Sequence, residues 1–250
     1  MRRVAPVLSG LLGLVAWSLL AARVSPVLLP SPLDVAAAWG AQGPALLRAA
    51  AVTAGSAGAG LLVGSGLAIA LAVGFVRARW LELALAPWAL LIQALPVVAI
   101  APLLVVWLDY GPQVAVVAAT IVTFFPMLSA AHTGLRGADP AALELVRLYG
   151  GGFGAELRHV RLPGAAPAIL GGLRGAGGLA VVGAIVGEFV GANGLPPSLG
   201  FLVLQSMRRA DTPVMFAAVT AAGALALGVY LLVRALEARL VGRWWPGARP

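Results

Sequence analysis

The chain lacks cysteine and lysine, and it has little charge of either sign. All 17 basic residues are arginine, and charged residues make up 10% of the 250 residues, against about 25% in ordinary globular proteins. Without cysteine, disulfides, thiolate nucleophiles and cysteine metal sites are excluded. Without lysine, the chain cannot form a P-loop, whose lysine contacts nucleotide phosphates, so any ATP must be hydrolysed by another chain.

Apolar residues are abundant instead and account for 61% of the chain. A water-soluble domain of this length needs polar residues to cover its surface, whereas a bilayer favours apolar surface on a helix. The net charge of +8 would suit nucleic acid, but the arginines are spread between apolar runs and are not clustered among aromatic residues. We therefore predict an all-α, polytopic membrane protein without nucleic-acid binding, forming a single transmembrane domain over residues 1–250.

Six stretches are long and apolar enough to cross a bilayer, which takes about 20 residues of helix. Before the second stretch, Ser31, Pro32 and Asp34 form a capping-box pattern that predicts a short helix outside the lipid. A cleaved signal peptide is the alternative for the first stretch, although its apolar run exceeds the usual length of about 7 to 15 residues. The predicted spans are about residues 4–22, a segment within 45–76, 83–108, 113–133, 169–190 and 214–233.

The arginines predict the orientation, because positively charged flanks stay in the cytoplasm. Placing both termini inside leaves only four arginines outside, namely Arg23, Arg48, Arg208 and Arg209. The longest cytoplasmic loop is then about residues 134–168. The arginines assigned to the cytoplasm are Arg2, Arg3, Arg77, Arg79, Arg136, Arg147, Arg158, Arg161, Arg174, Arg234, Arg239, Arg243 and Arg249.

The first half of this loop predicts a short helix. Asp139 can cap it and Pro140 can occupy its first turn. Glu144 and Arg147, three residues apart, share one face of the helix. Three glycines beginning at Gly150 end the helix, because glycine adopts left-handed backbone angles at little cost.

The second half of the loop predicts another helix, at about residues 153–161. Pro163 and Pro167 are expected to stop it and to set the angle at which the chain enters the fifth span. The loop is either a solvated connector or a docking element for a cytoplasmic partner, since exposed apolar surface rimmed by charge marks interaction sites. Its candidate docking residues are Leu143, Leu145, Val146, Leu148 and Tyr149.

The spacing of Glu144, Gly150, Leu162, Pro163 and Pro167 resembles the EAA loop of permease subunits of ABC importers. In that loop a glutamate is followed six residues later by glycine and later by leucine-proline. The chain departs from the pattern in having "ELV" where the family has "EAA". The segments "LLPSPLDVAAAW", "QALPVVAIAPLLVVW", "FFPMLSAAHTGLR" and "VGEFVGANGLPPSLGFLV" resemble, in order, the nitrate, sulfonate and taurine branch, so the likeness covers about residues 28–240.

The resemblance implies a type I ABC importer permease of the bacterial inner membrane. Its implied partners are a second copy of the permease, two cytoplasmic ATP-binding subunits and an extracytoplasmic solute-binding protein, and ATP is bound by those subunits, so the permease holds no cofactor. The implied solute is small and either anionic or heterocyclic. The predicted coupling residues in the loop are Glu144, Gly150, Leu162, Pro163 and Pro167, which carry the resemblance, together with Asp139 and Arg147 of the predicted helix.

Within the membrane, irregular and acidic positions are candidates for the transport path. Pro96 and Pro102 bend the third span, and Gln93 adds a polar side chain beside the first of them. Glu188 lies near the outer end of the fifth span, where either interfacial solvation or a role in the path explains a carboxylate. A repeat of small residues at Gly183, Gly187 and Gly191, with Gly175 and Leu179 further back, predicts close packing against a neighbouring helix.

Two other functional classes stay open at this point. An ion-coupled secondary transporter would act without an ATPase, but it usually carries ionisable groups at the bilayer midplane, and none is convincingly placed there. An intramembrane enzyme would need a paired nucleophile and base or a metal cluster. His132 and His159 lack a second histidine at metal-ligand spacing, so no metal site is expected.

Overall fold

The computed structural model describes the backbone of residues 5–191 and 197–244 and the side chains of 8–191 and 197–239. Every regular element in these ranges is helical, which confirms the predicted all-α class. In chain order the helices are α1 (Ala5–Ala21), α2 (Pro32–Arg77), α3 (Arg79–Ala94), α4 (Val97–Leu108), α5 (Pro112–Arg136), α6 (Pro140–Leu148), α7 (Phe153–Glu156), a π-helix (Leu157–Arg161), α8 (Leu162–Gly191), α9 (Leu199–Arg208) and α10 (Thr212–Trp244).

Four of the six predicted spans are single long apolar helices. They are α2, α5, α10 and the continuous helix Phe153–Gly191 that α7, the π-helix and α8 form together. The third predicted span is a broken one, because α3 and α4 meet at an angle of 99°. The first corresponds to α1, whose 17 residues are at the short end of the range for a membrane crossing. Arg2, Arg3 and Arg249, used for the predicted orientation, lie outside the described residues.

The predicted capping box at the start of α2 is present. The Ser31 hydroxyl accepts from the amide of Asp34 at 3.2 Å, and the Asp34 carboxylate accepts from the amide of Ser31 at 2.9 Å. The prediction of a separate short helix there is wrong, because α2 does not end at Pro44. The whole helix has 46 residues and is about 69 Å long. Pro44 does not interrupt it because Leu46 and Ala49, in the next turn, are buried in a cluster with α10.

Small residues bring the central helices together. Helix α5 lies between α2 and α8, and a Cβ built on Gly187 would lie 2.5 Å from the Cα atom of Ala115. Gly183 and Gly191 approach α5 in the same way, which confirms the predicted packing face. Gly175 and Leu179, assigned to the same face, do not contribute, since the space at Gly175 is open and Leu179 is partly exposed.

The two ends of the bundle differ in charge. One end, here called the arginine-rich end, contains the end of α2, the start of α3, the end of α5 and the segment α6–α7. The guanidinium of Arg136, at the end of α5, is 3.2 Å from the Glu82 carboxylate in α3. At the opposite end, here called the far end, the amide of Gly111 donates to the carbonyl of Gly191 at 2.8 Å. The bent α3–α4 pair therefore carries the chain from the arginine-rich end to the far end, as a single span would.

Candidate functional site

Helix α6 forms as its sequence predicts. The Asp139 carboxylate caps it by accepting from the amide of Ala141 at 3.0 Å, and Pro140 occupies the first turn. The helix ends at Leu148, and Gly150 follows with a φ of +76°. In this left-handed conformation a side chain would be strained, so glycine at position 150 is required by the turn itself.

Helix α6 presents apolar side chains outward. Leu148 is 77% exposed and Tyr149 is 86% exposed, and Leu145 is exposed beside them. These three residues are here called the α6 apolar face. Leu143, predicted to belong to it, is instead buried. Glu144 is exposed on the same short helix.

A buried carboxylate joins α6 to the rest of the bundle. Glu156 Oε1 accepts from Nε of Arg147 at 2.7 Å, and Glu156 Oε2 accepts from Nη2 of Arg161 at 3.1 Å. Arg161 Nη1 also donates to the carbonyl of Leu135 in α5 at 3.1 Å. The partner of Arg147 is therefore Glu156 and not Glu144, because the glycine turn brings α7 back against the last turn of α6. The residues Arg147, Glu156 and Arg161 are here called the Glu156 cluster.

The charge on Arg147 is reinforced by its neighbours. The hydrogen bond that Arg147 donates to Glu156, and then the negative charges of Glu156 and Glu144, raise the pKa of the Arg147 guanidinium above its ordinary value. Arg147 therefore faces Glu156 as a cation, as arginine does in proteins generally.

The prolines after the cluster do not stop the helix. The expected break at Pro163 and Pro167 is wrong, because the chain is helical from Phe153 to Gly191. The turn before Pro163 is a π-helix, in which the amide of Leu162 donates to the carbonyl of Leu157. This wider turn gives the proline ring room where an α-helix would produce a clash. Leu162 and Pro163 thus begin α8 and Pro167 lies inside it.

Glu188 is enclosed near the far end. Its Oε2 atom accepts from the hydroxyl of Thr53 at 3.0 Å and from the amide of Gly200 at 2.9 Å. Interfacial solvation is therefore the wrong explanation for this carboxylate, because α2 and the start of α9 cover it. Its Oε1 atom is buried as well.

Gln93 lies beside the break in the third span. Leu95 and Pro96 are both extended there, as the restriction of a residue before proline requires. Pro102 causes no break and lies within α4. A cavity of about 270 Å³ opens next to the break, and the Gln93 amide is the only polar side chain among its lining residues. The lining consists of Ile92, Gln93, Leu95, Val97, Ile121, Val122, Phe125, Pro126 and Leu179, so Glu188 and the ring of Pro96 do not take part.

The sequence matches the family described as binding-protein-dependent transport system inner membrane component over residues 60–244. The chain belongs to this family. It is the permease component of an ABC importer and a multi-pass membrane protein. Family membership favours a binding-protein-dependent permease over the ion-coupled transporter and the intramembrane enzyme that the sequence left open.

Curated relatives of this permease are named for different solutes. The riboflavin transport system permease protein of Chloroflexus aurantiacus is 38% identical over 66% of this chain, an alignment that spans 60% of the relative's own length. The formylaminopyrimidine transport permease protein of Halalkalibacterium halodurans is 30% identical over 93% of this chain and 92% of its own. The putative aliphatic sulfonates transport permease protein of Bacillus subtilis is 26% identical over 74% of this chain and 66% of its own.

The fold of this permease is similar to a solved ABC importer. An inward-facing structure of the MetNI methionine ABC transporter superposes with a TM-score of 0.56 and 20% identity, covering 76% of this chain and 93% of the other. At this identity the match establishes the fold and leaves the solute undetermined.

Sequence reasoning missed two residues that the structure places at these sites. Glu156 is five residues before Arg161, and residues five apart do not lie on the same face of an α-helix. It is also nine residues after Arg147, with a turn between them. Thr53 is 135 residues from Glu188. A local pattern could not have joined either pair, although an acidic residue flanked by two arginines was a signal for Glu156.

Proposed function

We propose that two copies of this permease form the membrane channel of an ATP-driven importer, with α6 of each copy seated on a cytoplasmic ATP-binding subunit. The α6 apolar face carries the proposal. Leu145, Leu148 and Tyr149 are exposed at the arginine-rich end, on and directly after the short helix that also carries the exposed Glu144. Exposed apolar surface rimmed by charge is typical of a protein interaction site.

The arginines support a cytoplasmic location for this end. Arg77, Arg79 and Arg136 lie at helix ends there, and Arg158 and Arg161 lie in the first turns of the continuous helix that begins at Phe153. Because basic flanks remain in the cytoplasm, we place α6 and both termini on that side. A solute-binding protein then delivers its cargo at the far end, near α9.

ATP drives the transport cycle through the partner subunits, so this chain binds no cofactor of its own. Nucleotide shifts the permease between inward-facing and outward-facing states only if it favours one of them. We propose that Asp139, Glu144, Gly150 and Leu162 shape the docking segment, and that Pro163 and Pro167 fix its connection to the fifth span.

The cavity beside the third span supports a neutral, heterocyclic solute. Gln93 offers hydrogen bonds and Phe125 offers a ring face, while the other lining residues are aliphatic. An anion that lost its hydration there would find no charge to replace it, whereas a planar ring with polar edges would. The relatives named for riboflavin and formylaminopyrimidine transport favour this class over the sulfonates.

In this scheme Gln93 contacts the solute in transit and Pro96 maintains the break that exposes it. Glu188 acts at the outer end of the path, where it holds α9 against α2 and α8 through Thr53 and Gly200.

The docking proposal is tested with the double variant Leu148→Asp/Tyr149→Asp in the complete transporter. The ATP-binding subunit should no longer co-purify, while the amount of permease in the membrane is unchanged. Leu28→Asp is the matched control, since Leu28 is an exposed leucine in the turn at the far end. Retention of the ATP-binding subunit by the double variant would contradict the proposal.

The solute proposal is tested in vesicles containing the transporter and its binding protein. We expect uptake of labelled riboflavin or formylaminopyrimidine, and a lower rate with Gln93→Ala at unchanged ATPase association. Uptake of an alkanesulfonate alone would show that the solute is an anion and that the cavity does not determine the class.

A further inference from the structure

We propose that Glu156 is a positioning residue that transmits movement of α6 to the membrane-spanning helices α5 and α8. This inference rests on the proposed function, because it assumes that α6 is moved by an ATP-binding subunit. In this inference the Glu156 cluster connects the docking of α6 on its partner with the opening of the transport path.

The two oxygens of one carboxylate hold different parts of the molecule. Oε1 binds Arg147 in the last turn of α6, and Oε2 binds Arg161 at the end of the π-helix. Arg161 in turn donates to the Leu135 carbonyl near the end of α5. A displacement of α6 therefore acts on Glu156, at the start of the helix that continues into α8, and reaches α5 through Glu156 and then Arg161.

Helix α6 is connected to the rest of the chain by a three-residue link from α5, by the glycine turn to α7 and by its side-chain contacts. Within the described residues, α6 contacts chiefly α7, the four-residue helix that contains Glu156. The glycine turn between α6 and α7 has a left-handed residue at Gly150, and a Cβ on Gly152 would meet nothing within 4 Å. Gly151 between them is closely packed, since a Cβ there would lie 2.5 Å from Cγ1 of Val146. The ionic contacts therefore connect α6 to α7 in parallel with the turn, and they are the connection that substitutions can remove without changing the backbone.

The two arginines of the Glu156 cluster differ in solvent exposure. The Arg161 side chain is 12% exposed and that of Arg147 is 61% exposed. Loss of Arg161 or Glu156 would leave a buried charge unpaired, which disturbs folding. Loss of Arg147 removes the contact on the α6 side while Glu156 keeps Arg161, so Arg147 is the better position for a test.

The absence of cysteine from the natural sequence makes a direct measurement simple. A single cysteine at Leu95, which lines the cavity beside the broken span, reports whether the path is open. Its rate of reaction with N-ethylmaleimide is measured in the reconstituted transporter, first without nucleotide and then with ATP and vanadate. The ratio of the two rates measures how strongly nucleotide controls the path.

The variants are Arg147→Gln, Arg147→Lys and Glu156→Gln, with Arg158→Gln as the matched control. Arg158 is exposed in the π-helix between Glu156 and Arg161. We expect Arg147→Gln and Glu156→Gln to retain the ATP-binding subunit and to hydrolyse ATP. Their nucleotide-dependent rate ratio should fall by about fivefold or more, the scale of typical coupling between sites. Arg147→Lys should restore part of the ratio, and Arg158→Gln should not change it.

The outcomes separate this inference from the proposed function. An unchanged ratio in Arg147→Gln would overturn the inference and leave the docking proposal intact. Loss of the ATP-binding subunit from Arg147→Gln would also overturn it, because the cluster would then serve docking. If the natural chain itself binds no ATP-binding subunit, the proposed function fails and the inference fails with it. Should Glu156→Gln not fold, Arg147→Gln alone decides.

Discussion

The hydroxyl of Thr53 donates a hydrogen bond of 3.0 Å to Oε2 of Glu188 and accepts one of 3.0 Å from the amide of Leu199. One buried hydroxyl thereby connects α2, α8 and the start of α9. Since α2 and α8 both cross the membrane, this contact fixes the short helix α9 relative to the bundle at the far end.

Replacing Thr53 with valine keeps the shape of the side chain and removes both hydrogen bonds. We expect a loss of about 1–3 kcal/mol in the free energy of unfolding, because the Glu188 carboxylate and the Leu199 amide stay buried. Thermal unfolding of the detergent-solubilised permease measures this. The exposed Thr133 offers a matched Thr→Val control, and an equal effect at both positions would show that burial of the hydrogen bonds is unimportant.

Gly187→Ala should separate α5 from α8. The added Cβ would lie 2.5 Å from the Cα atom of Ala115, so a backbone must move. Overpacking of this kind costs about 1–3 kcal/mol. Gly178→Ala is the control, since a Cβ there meets nothing within 4 Å. The unfolding temperatures of the two variants should differ, and a stable Gly187→Ala protein would argue against the close approach.

The helical breaks show how far sequence can predict this structure. The caps at Ser31 and Asp139 and the break at Pro96 were predictable, because each depends on residues within one turn. The continuation of helix through Pro44 and Pro163 was not. Each proline removes only one backbone donor, and burial of the adjacent turn or a wider π-turn offsets that loss.

The candidate site shows the same limit. Of the five predicted docking residues, Leu145, Leu148 and Tyr149 are exposed, whereas Leu143 is buried and Val146 is half-buried. The partner of Arg147 did not follow, because Glu156 reaches it across a turn whose direction depends on the backbone angles of Gly150. Local spacing favoured Glu144, whereas the folded chain pairs Arg147 with Glu156.

Gly150→Ala should impair coupling with little effect on folding. Gly150 has a φ of +76° and open space around it, so the cost is that of a left-handed alanine, about 1–2 kcal/mol. A turn that relaxes this strain redirects α6. The ATPase activity of the complex stimulated by the binding protein should fall, while membrane insertion is unchanged. Gly152→Ala is the matched control because its φ is −85°, and similar activities of the two variants would contradict the role of the turn.

The orientation can be tested with single cysteines in the natural cysteine-free background. Arg23→Cys and Arg208→Cys at the far end should react with a membrane-impermeant thiol reagent added to intact cells. Leu148→Cys in α6 should react only after the membrane is permeabilised. Labelling of position 148 in sealed cells would reverse the proposed orientation.

The π-helix at Leu157–Arg161 determines the direction in which α6 projects from the axis of the fifth span. Successive residues of an α-helix are rotated by about 100°, and the wide turn absorbs one residue beyond the α-helical number. If these five residues were α-helical, the segment before them, including α6 and α7, would be rotated about the axis of α8 by about that angle. A chimera that grafts α6 from a relative onto this chain therefore has to conserve the number of residues in the wide turn as well as the identity of the grafted surface.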